Sequence, residues 1–309
     1  MKKRAFLFPG QGSQYVGMGK DFYEKSEVAK AIFTQADDLL GFSLSSLCFA
    51  GPEDQLRLTS NTQPALLTVS YIAYTLLGIK PEVAAGHSLG EYSALVAAGS
   101  LSFADGLRLV ASRGRYMLEA MPPGTGTMAA VLGLDYKTVE NSLAKVTKGV
   151  VQIANWNSEE QIVIAGEKEA VAEALEIMRP PRSVYLQVSG PFHTSLMKPA
   201  ADRLLADLEK VEIKDPEFPV ISNYTAREMR TAAEVRESLS KQIISTVLWY
   251  PSMQRLAEWE VEEIVELGPG KVLTGLLRKT TRHWSKVPEL YNIEDMAGLE
   301  KYRQVSSGG

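Results

Sequence analysis

Cysteine is nearly absent, with Cys48 the only one. That excludes an intramolecular disulfide and a zinc site built from several cysteines. A small core hydrophobe in a reducing compartment is the expectation for this thiol. Histidine is scarce as well, three in 309 residues, so any search for a general base is short. Basic charge is not in excess: the formal net charge is −4, against the basic surface a general nucleic-acid binder needs. No apolar run approaches a membrane-spanning length. Met1-Lys2-Lys3-Arg4 imitates the start of a signal peptide, but the apolar run Ala5 to Phe8 ends at once in Pro9-Gly10 and reads as a first strand. A cytoplasmic protein with neither nucleic acid nor membrane as partner is expected. What is present, 45% apolar and 23% charged residues, is the composition of an ordered globular chain, long enough for one large domain or two interleaved ones.

The stretch richest in chemistry is Gly86-His87-Ser88-Leu89-Gly90, a G-x-S-x-G pattern. Pro81 to Ala85 before it reads as a short buried strand, and Glu91 to Ala98 after it as a helix stopping at Gly99. A serine on so tight a strand-to-helix turn needs glycine neighbours, because a Cβ there would clash with adjacent backbone. The turn sets the hydroxyl at a helix N-terminus, where the dipole favours developing negative charge. Ser88 is therefore a candidate nucleophile, the alternative being an ordinary glycine-rich turn with an incidental serine.

Strands and helices alternate from Met1 to about Met121, the pattern of a mainly parallel sheet with helices on its faces. Pro122-Pro123-Gly124 breaks that rhythm. Thr127 to Leu132, Val150 to Ala154, Gln161 to Ala165 and Ser183 to Val188 then read as strands, with helices at Lys137 to Val146 and Lys168 to Met178. That β-α-β-β-α-β order is the split βαβ of ferredoxin-like modules. Further on, helices are predicted at Ser195 to Leu208, Ala233 to Ile244 and from Lys271, with strands at Val220 to Ser222 and Glu263 to Leu267. The expected fold is α/β: a hydrolase-like large catalytic domain over 1–123 and 189–305, a ferredoxin-like small domain inserted at 124–188, and a disordered tail at 306–309.

A serine hydroxyl needs a general base near neutral pH, usually histidine. His87 precedes Ser88 within the turn, where adjacent side chains diverge, and His283 sits in a basic stretch that reads as a solvated helix end. His193 lies in a loop between a strand and a helix, where a sheet's active site forms, and is the best candidate. No acid stands out as a third triad member. Either the orienting group is unreadable, or a Ser-His dyad is steered by a backbone carbonyl.

Ser102 and Asp105 resemble a capping box opening a helix to about Glu119. Arg113 falls beside its apolar stripe of Leu107, Val110, Gly114 and Met117. A desolvated, unpaired guanidinium costs several kcal/mol. Arg113 is thus either in a structural salt bridge, or snorkelling, or a fork for a substrate carboxylate. Gly10-Gln11-Gly12-Ser13-Gln14-Tyr15 lacks the third glycine of a dinucleotide fingerprint, and Gly268-Pro269-Gly270-Lys271-Val272 lacks the spacing of a phosphate loop. The loop after the first strand can instead offer a second main-chain N–H to an oxyanion hole, beside that of Leu89.

These segments together resemble the malonyl-CoA:acyl carrier protein transacylase family over nearly the whole chain. The carriers are Phe8-Pro9-Gly10-Gln11-Gly12-Ser13-Gln14, Thr62-Gln63-Pro64-Ala65, the Ser88 pentapeptide with Glu91-Tyr92, Arg113-Gly114, Gly190-Pro191-Phe192-His193, Lys241-Gln242, and Glu266 to Leu273. The resemblance implies Ser88 as nucleophile and His193 as its base, with Gln11 and Leu89 giving the oxyanion-hole N–H groups. It implies Arg113 as the malonyl-carboxylate ligand, and Gln242 near the histidine, where a main-chain carbonyl orients the imidazole. Ser245-Thr246-Val247 departs from relatives that often carry a proline there, which puts the histidine's orientation in question.

The activity so implied is malonyl transfer from malonyl-CoA to the phosphopantetheine thiol of an acyl carrier protein, by a monomer without cofactor, for fatty-acid synthesis. A polyketide trans-acting acyltransferase is the nearest alternative. A proofreading acyl-thioesterase or other serine hydrolase, and a catalytically dead carrier-docking protein, are the rivals. Arg278, Lys279, Arg282 and Lys286 form a candidate basic patch for an acidic carrier.

Overall fold

The computed structural model describes residues 2–188 and 190–306. The short apolar run after the basic N-terminus forms β1 (Arg4–Phe8). Five helices follow, α1 (Lys20–Lys25), α2 (Glu27–Leu40), α3 (Leu44–Ala50), α4 (Glu53–Arg57) and α5 (Thr59–Leu77), the last apolar on nearly every face and buried accordingly. β2 (Val83–Gly86) then leads through Ser88 into α6 (Leu89–Ala97), and α7 (Phe103–Glu119) opens on Ser102, whose side chain accepts from the Asp105 N–H. Next come β3 (Gly126–Leu132), α8 (Tyr136–Leu143), β4 (Val151–Ser158), β5 (Gln161–Glu167), α9 (Lys168–Met178) and β6 (Arg182–Tyr185). The chain continues through α10 (Lys198–Leu208), β7 (Val220–Ile221), β8 (Glu228–Met229), α11 (Ala232–Gln242), α12 (Trp249–Glu258) and β9 (Glu263–Leu267). It ends with α13 (Val272–Thr280), β10 (Glu289–Ile293) and α14 (Met296–Ser306).

The larger sheet has strand order β10-β9-β1-β2-β7-β8, parallel except at β8. Parallel strands buried on both faces read as continuous apolar runs, as β1 and β2 do. One core packs α2, α5, α6, α7 and α10 against one face, and a second packs α12 and α13 on the other. The smaller sheet, order β4-β5-β3-β6, is antiparallel throughout and keeps its own core with α8 and α9. Among the described residues no helix is long and apolar enough to cross a membrane.

Several expectations need correcting. Ser306 is the last residue of α14 rather than the start of a disordered tail, and 307–309 lie outside the described residues. So does Ser189, where the large domain was expected to resume. The strand expected to reach Val188 ends at Tyr185: Arg182 to Tyr185 are in register with β3, and one further bond from the Leu186 N–H to the Met128 carbonyl at 2.9 Å closes the pairing. The helix expected from Ser195 starts as a 3-10 turn and becomes α-helical at Lys198, one residue before Pro199, whose missing N–H suits a first turn. The sequence pattern assigned nothing to α12, β10 or α14.

At the N-terminal end of β9, buried Glu263 has Lys2 Nζ and Arg4 Nε at 2.9 and 2.8 Å and the Tyr302 hydroxyl at 3.0 Å. Burial pushes this carboxyl up, but the Lys2 and Arg4 ion pairs and the Tyr302 hydrogen bond outweigh it and hold it below the ordinary range. A depressed folded-state value means stability that is present above the unfolded pKa and lost as pH falls through the folded one. Glu263→Gln is expected to cost about 2 kcal/mol at pH 7. In thermal melts the gap to the unaltered protein should narrow as the pH is lowered through the carboxylate range; a constant gap would refute the pairing as its origin.

Candidate active site

Ser88 stands between β2 and α6 with φ 52° and ψ −105°, a strained conformation for any residue with a Cβ. The glycines beside it are required: a Cβ on Gly86 would overlap the Gly90 carbonyl, and one on Gly90 the carbonyl of Phe8. The turn thus packs β2, α6 and β1 within backbone contact, which is why the serine sits at the carboxyl edge of the sheet.

The Ser88 hydroxyl lies 2.7 Å from Nε2 of His193. On its other side, Nδ1–H of the imidazole donates to the Gln242 carbonyl at 3.1 Å, leaving the Nε2 lone pair for the serine. No acid takes that place; a main-chain carbonyl does. His193 is only 4% exposed. Burial, then the positive charge of Arg113, pushes its pKa down to about 3, so the ring is neutral and able to accept a proton at neutral pH. The Ser245-Thr246-Val247 departure does not loosen this arrangement. Thr246 Oγ1 donates to the Ile153 carbonyl at 2.6 Å, Val247 N–H to Ala154 at 2.8 Å, and Trp156 N–H to Val247 at 2.9 Å. Hydrogen bonds to β4 fix the backbone that follows Gln242.

Arg113 is 1% exposed, and among the described residues no carboxylate is within ion-pair distance of it. The salt-bridge and snorkelling readings are both set aside by that placement. Nη1 donates to Gln63 Oε1 at 2.7 Å, and Nη2 to Gln242 Oε1 at 2.9 Å and to Ser88 Oγ at 3.0 Å; Nε has no partner. Burial pushes the guanidinium pKa down. A buried cation held only by neutral amides and a hydroxyl keeps an unsatisfied demand for an anion.

Gln11, Gln63, Leu89, Arg113 and His193 line one narrow cavity with Ser88, about 100 Å³ in volume, sized for a small acyl group rather than a long chain. No acceptor among the described residues takes the main-chain N–H of Gln11 or Leu89. The N–H of Ser88 itself is occupied, donating to Asn223 Oδ1 at 2.6 Å. All six residues singled out in the sequence thus meet in one place. His87 and His283 stay apart from the proton transfer: His87 Nε2 is 2.9 Å from Asn157 Oδ1, and His283 is exposed. The rejected glycine-rich segment at 268–272 leads into α13, whose first N–H groups are already taken by the buried Glu266, accepting from Leu273 and Thr274 at 3.0 and 2.8 Å. A phosphate has no place there.

Three contributors had not been picked out. Gln63 belongs to a quoted motif but carries no chemistry legible without Arg113 beside it. Glu91 was legible as a lone acid in an otherwise apolar helix. Asn223 gave no signal.

With this geometry in hand, the chain's similarities fall into line. The acyl transferase domain family matches residues 5–301. The malonyl CoA-acyl carrier protein transacylase of Bacillus subtilis (strain 168) is 48% identical over 290 residues, 91% of this chain and 92% of that one. Its counterpart from Escherichia coli (strain K12) is 44% identical over 287 residues, 90% of this chain and 93% of that one. A solved complex of a type II PKS acyl-carrier protein with its malonyl-transacylase has a chain of the same fold, at TM-score 0.94 and 39% identity, covering 98% of this chain and 99% of that one. Identity of that order along nine-tenths of the sequence, on a shared α/β fold with a mainly parallel sheet, places the chain in the malonyl-CoA:acyl carrier protein transacylase family.

Proposed function

We propose that this chain moves the malonyl group from malonyl-CoA to the phosphopantetheine thiol of an acyl carrier protein through a malonyl-serine ester. The observation that carries the reading is a buried arginine with no carboxylate among the described residues in ion-pair reach, facing the same cavity as a serine-histidine pair. In the first half-reaction Ser88 Oγ gives its proton to His193 Nε2 and attacks the thioester carbonyl. The oxyanion is met by the free N–H groups of Gln11 and Leu89. The C–S bond then breaks, and coenzyme A leaves as the thiol with the proton returned by His193. The malonyl carboxylate takes the guanidinium of Arg113. In the second half the carrier thiol passes its proton to His193, attacks the ester, and Ser88 Oγ recovers the proton as it leaves.

Acyl exchange between two thiols changes no oxidation state, so the reading assigns no cofactor; malonyl-CoA and coenzyme A are substrate and product. A monomer is the working unit assigned to this enzyme. Fatty-acid synthesis is the assigned pathway. The complex with a type II PKS carrier keeps a polyketide carrier as a second reading. We place the enzyme in the cytoplasm, in keeping with a single buried thiol.

The β3-α8-β4-β5-α9-β6 unit supports a ferredoxin-like small domain at 124–188, inserted into a large domain of 1–123 and 189–305. His87 of the β2–α6 turn meets Asn157 of β4, so the site lies where the two would join.

Mass spectrometry of the intact protein after exposure to malonyl-CoA is the test. One malonyl adduct is expected, discharged by carrier protein and persistent without it. Rapid release of free malonate in the absence of carrier would make the chain a hydrolase instead.

Arg278, Lys279 and Arg282 are exposed and have no ion-pair partner among the described residues, whereas Lys286 is engaged by Glu262 at 2.7 Å. The docking patch reduces to those three. The double variant Arg278→Glu, Arg282→Glu is expected to raise KM for an acidic carrier about tenfold with acylation by malonyl-CoA unaltered. An unchanged KM for carrier would remove the patch from consideration.

A further inference from the structure

Behind the Ser88 turn lies a set of buried polar side chains that the acyl exchange leaves unused. Asn223, on the loop after β7, is fully buried. Its Oδ1 accepts from the Ser88 N–H at 2.6 Å, and its Nδ2 donates to the Gly86 carbonyl at 2.7 Å. One side chain therefore grips the backbone on both sides of His87, across the strained part of the turn. The Asn223 main-chain N–H donates in its turn to Glu91 Oε2 at 2.7 Å, and Ser238 Oγ of α11 donates to Glu91 Oε1 at 2.9 Å. Ser222 Oγ, 2.6 Å from Ser238 Oγ, accepts from the N–H groups of Tyr224 and Thr225 at 3.1 and 3.2 Å and so fixes the loop that carries Asn223. Glu91 belongs to the first turn of α6, the helix that begins one residue after Ser88.

A carboxylate at zero exposure, with no cation among the described residues in ion-pair reach, is a poor choice for packing a helix. A non-glycine residue at positive φ persists only where its surroundings over-determine it. We propose that Asn223 and Glu91 are positioning residues, a clamp that holds Ser88 in the strained conformation that brings its Oγ to His193. The inference rests on Ser88 as the acylated residue. Neither side chain lines the acyl cavity, so the clamp acts on the serine whatever acyl group is bound.

Burial pushes the Glu91 carboxyl up to about 7, against the hydrogen bonds from Asn223, Ser238 and Gln242 that favour its charged form. The charged or titratable groups facing it are Arg113 of α7, which also favours the carboxylate, and Tyr92 of its own helix; the partners from α11 and the Asn223 loop are uncharged. An ionised carboxylate accepts more strongly than a neutral acid, so the clamp is at full strength above neutrality and weakens below it. Burial and the charge of Arg113 hold His193 well below that range in the free enzyme.

The test is single-turnover acylation by malonyl-CoA and by acetyl-CoA, read as adduct mass between pH 5 and 9. Asn223→Ala is expected to slow both acyl groups by a common factor of about a hundred, the cost of misplacing a reacting atom by about 1 Å. KM for malonyl-CoA should stay within about twofold, since no substrate contact is removed. Glu91→Gln keeps an acceptor for the Asn223 N–H but not its charge, so its rate at pH 8 is expected to match the lower rate that the unaltered enzyme shows near pH 6. It should also abolish the fall in rate that the unaltered enzyme shows between pH 8 and 6. Absence of any adduct on the unaltered enzyme would overturn the nucleophile reading itself. With that adduct present, an unchanged rate in Asn223→Ala, an effect confined to KM, or a pH fall that survives in Glu91→Gln would overturn the clamp. If Asn223→Ala does not fold, the Glu91→Gln profile decides alone.

Discussion

Ser88→Ala is expected to leave no malonyl adduct on the protein and to lower malonyl transfer to carrier protein by about 10⁴-fold or more. The fold should be unaffected, because alanine bears the same positive-φ strain as serine and the clamping bonds are to main-chain atoms. His193→Ala is expected to cost nearly as much, and the double variant no more than the worse single one. Serine and imidazole work as a unit joined by one 2.7 Å hydrogen bond, so the second removal has nothing left to take. The residual rate belongs to the oxyanion donors and to substrate binding. Additive losses, or an adduct that survives in Ser88→Ala, would place the acyl group elsewhere.

Why the site was so largely legible follows from where its chemistry sits. Ser88 is announced by a local backbone demand, two glycines around a turn, that sequence spacing expresses directly. His193 could be reached because histidine is scarce. Strands β1, β2 and β9 of the larger sheet were legible for a related reason, being short, mostly apolar runs with glycine or proline close to their ends, whereas β10, with the polar Glu289 and Asn292, was not.

Non-local partnerships were not legible. Gln63 and Gln242 are 50 and 129 residues from the arginine they hold, and Asn223 is 135 from the serine whose N–H it binds. A neutral amide has no periodicity and no charge to mark it. The missing triad acid belongs here too, since a main-chain carbonyl has no side-chain signature at all. Helix α12 escaped for another reason. Its Trp-Tyr-Pro opening reads as a turn, whereas proline in a first turn is compatible with a helix whose N–H groups there need no partner.

Arg113→Ala is expected to lower kcat/KM for malonyl-CoA by about a hundredfold, the value of about 3 kcal/mol for charge-assisted hydrogen bonds to a buried carboxylate. Acetyl-CoA should gain rather than lose. In the unaltered enzyme an acetyl group offers no anion to a guanidinium whose present partners are two glutamine amides and the serine hydroxyl. Substrates lacking the group that a polar site is built to bind are disfavoured for that reason. Removing the arginine removes both the reward for malonyl and the penalty for acetyl, so the preference collapses from two directions. Arg113→Lys should fall between, since an ammonium supplies charge without the planar fork. Truncation to alanine leaves Gln63 Oε1 and Gln242 Oε1 without their donor but also removes a buried cation that has no counter-ion among the described residues, so thermal melts of both variants belong beside the kinetics. Competition between the two thioesters, read as the ratio of adduct masses, is the direct measurement. A malonyl-to-acetyl ratio that survives in Arg113→Ala would mean that selectivity is set by the shape of the cavity and that the buried cation serves only to orient Gln242 and Ser88.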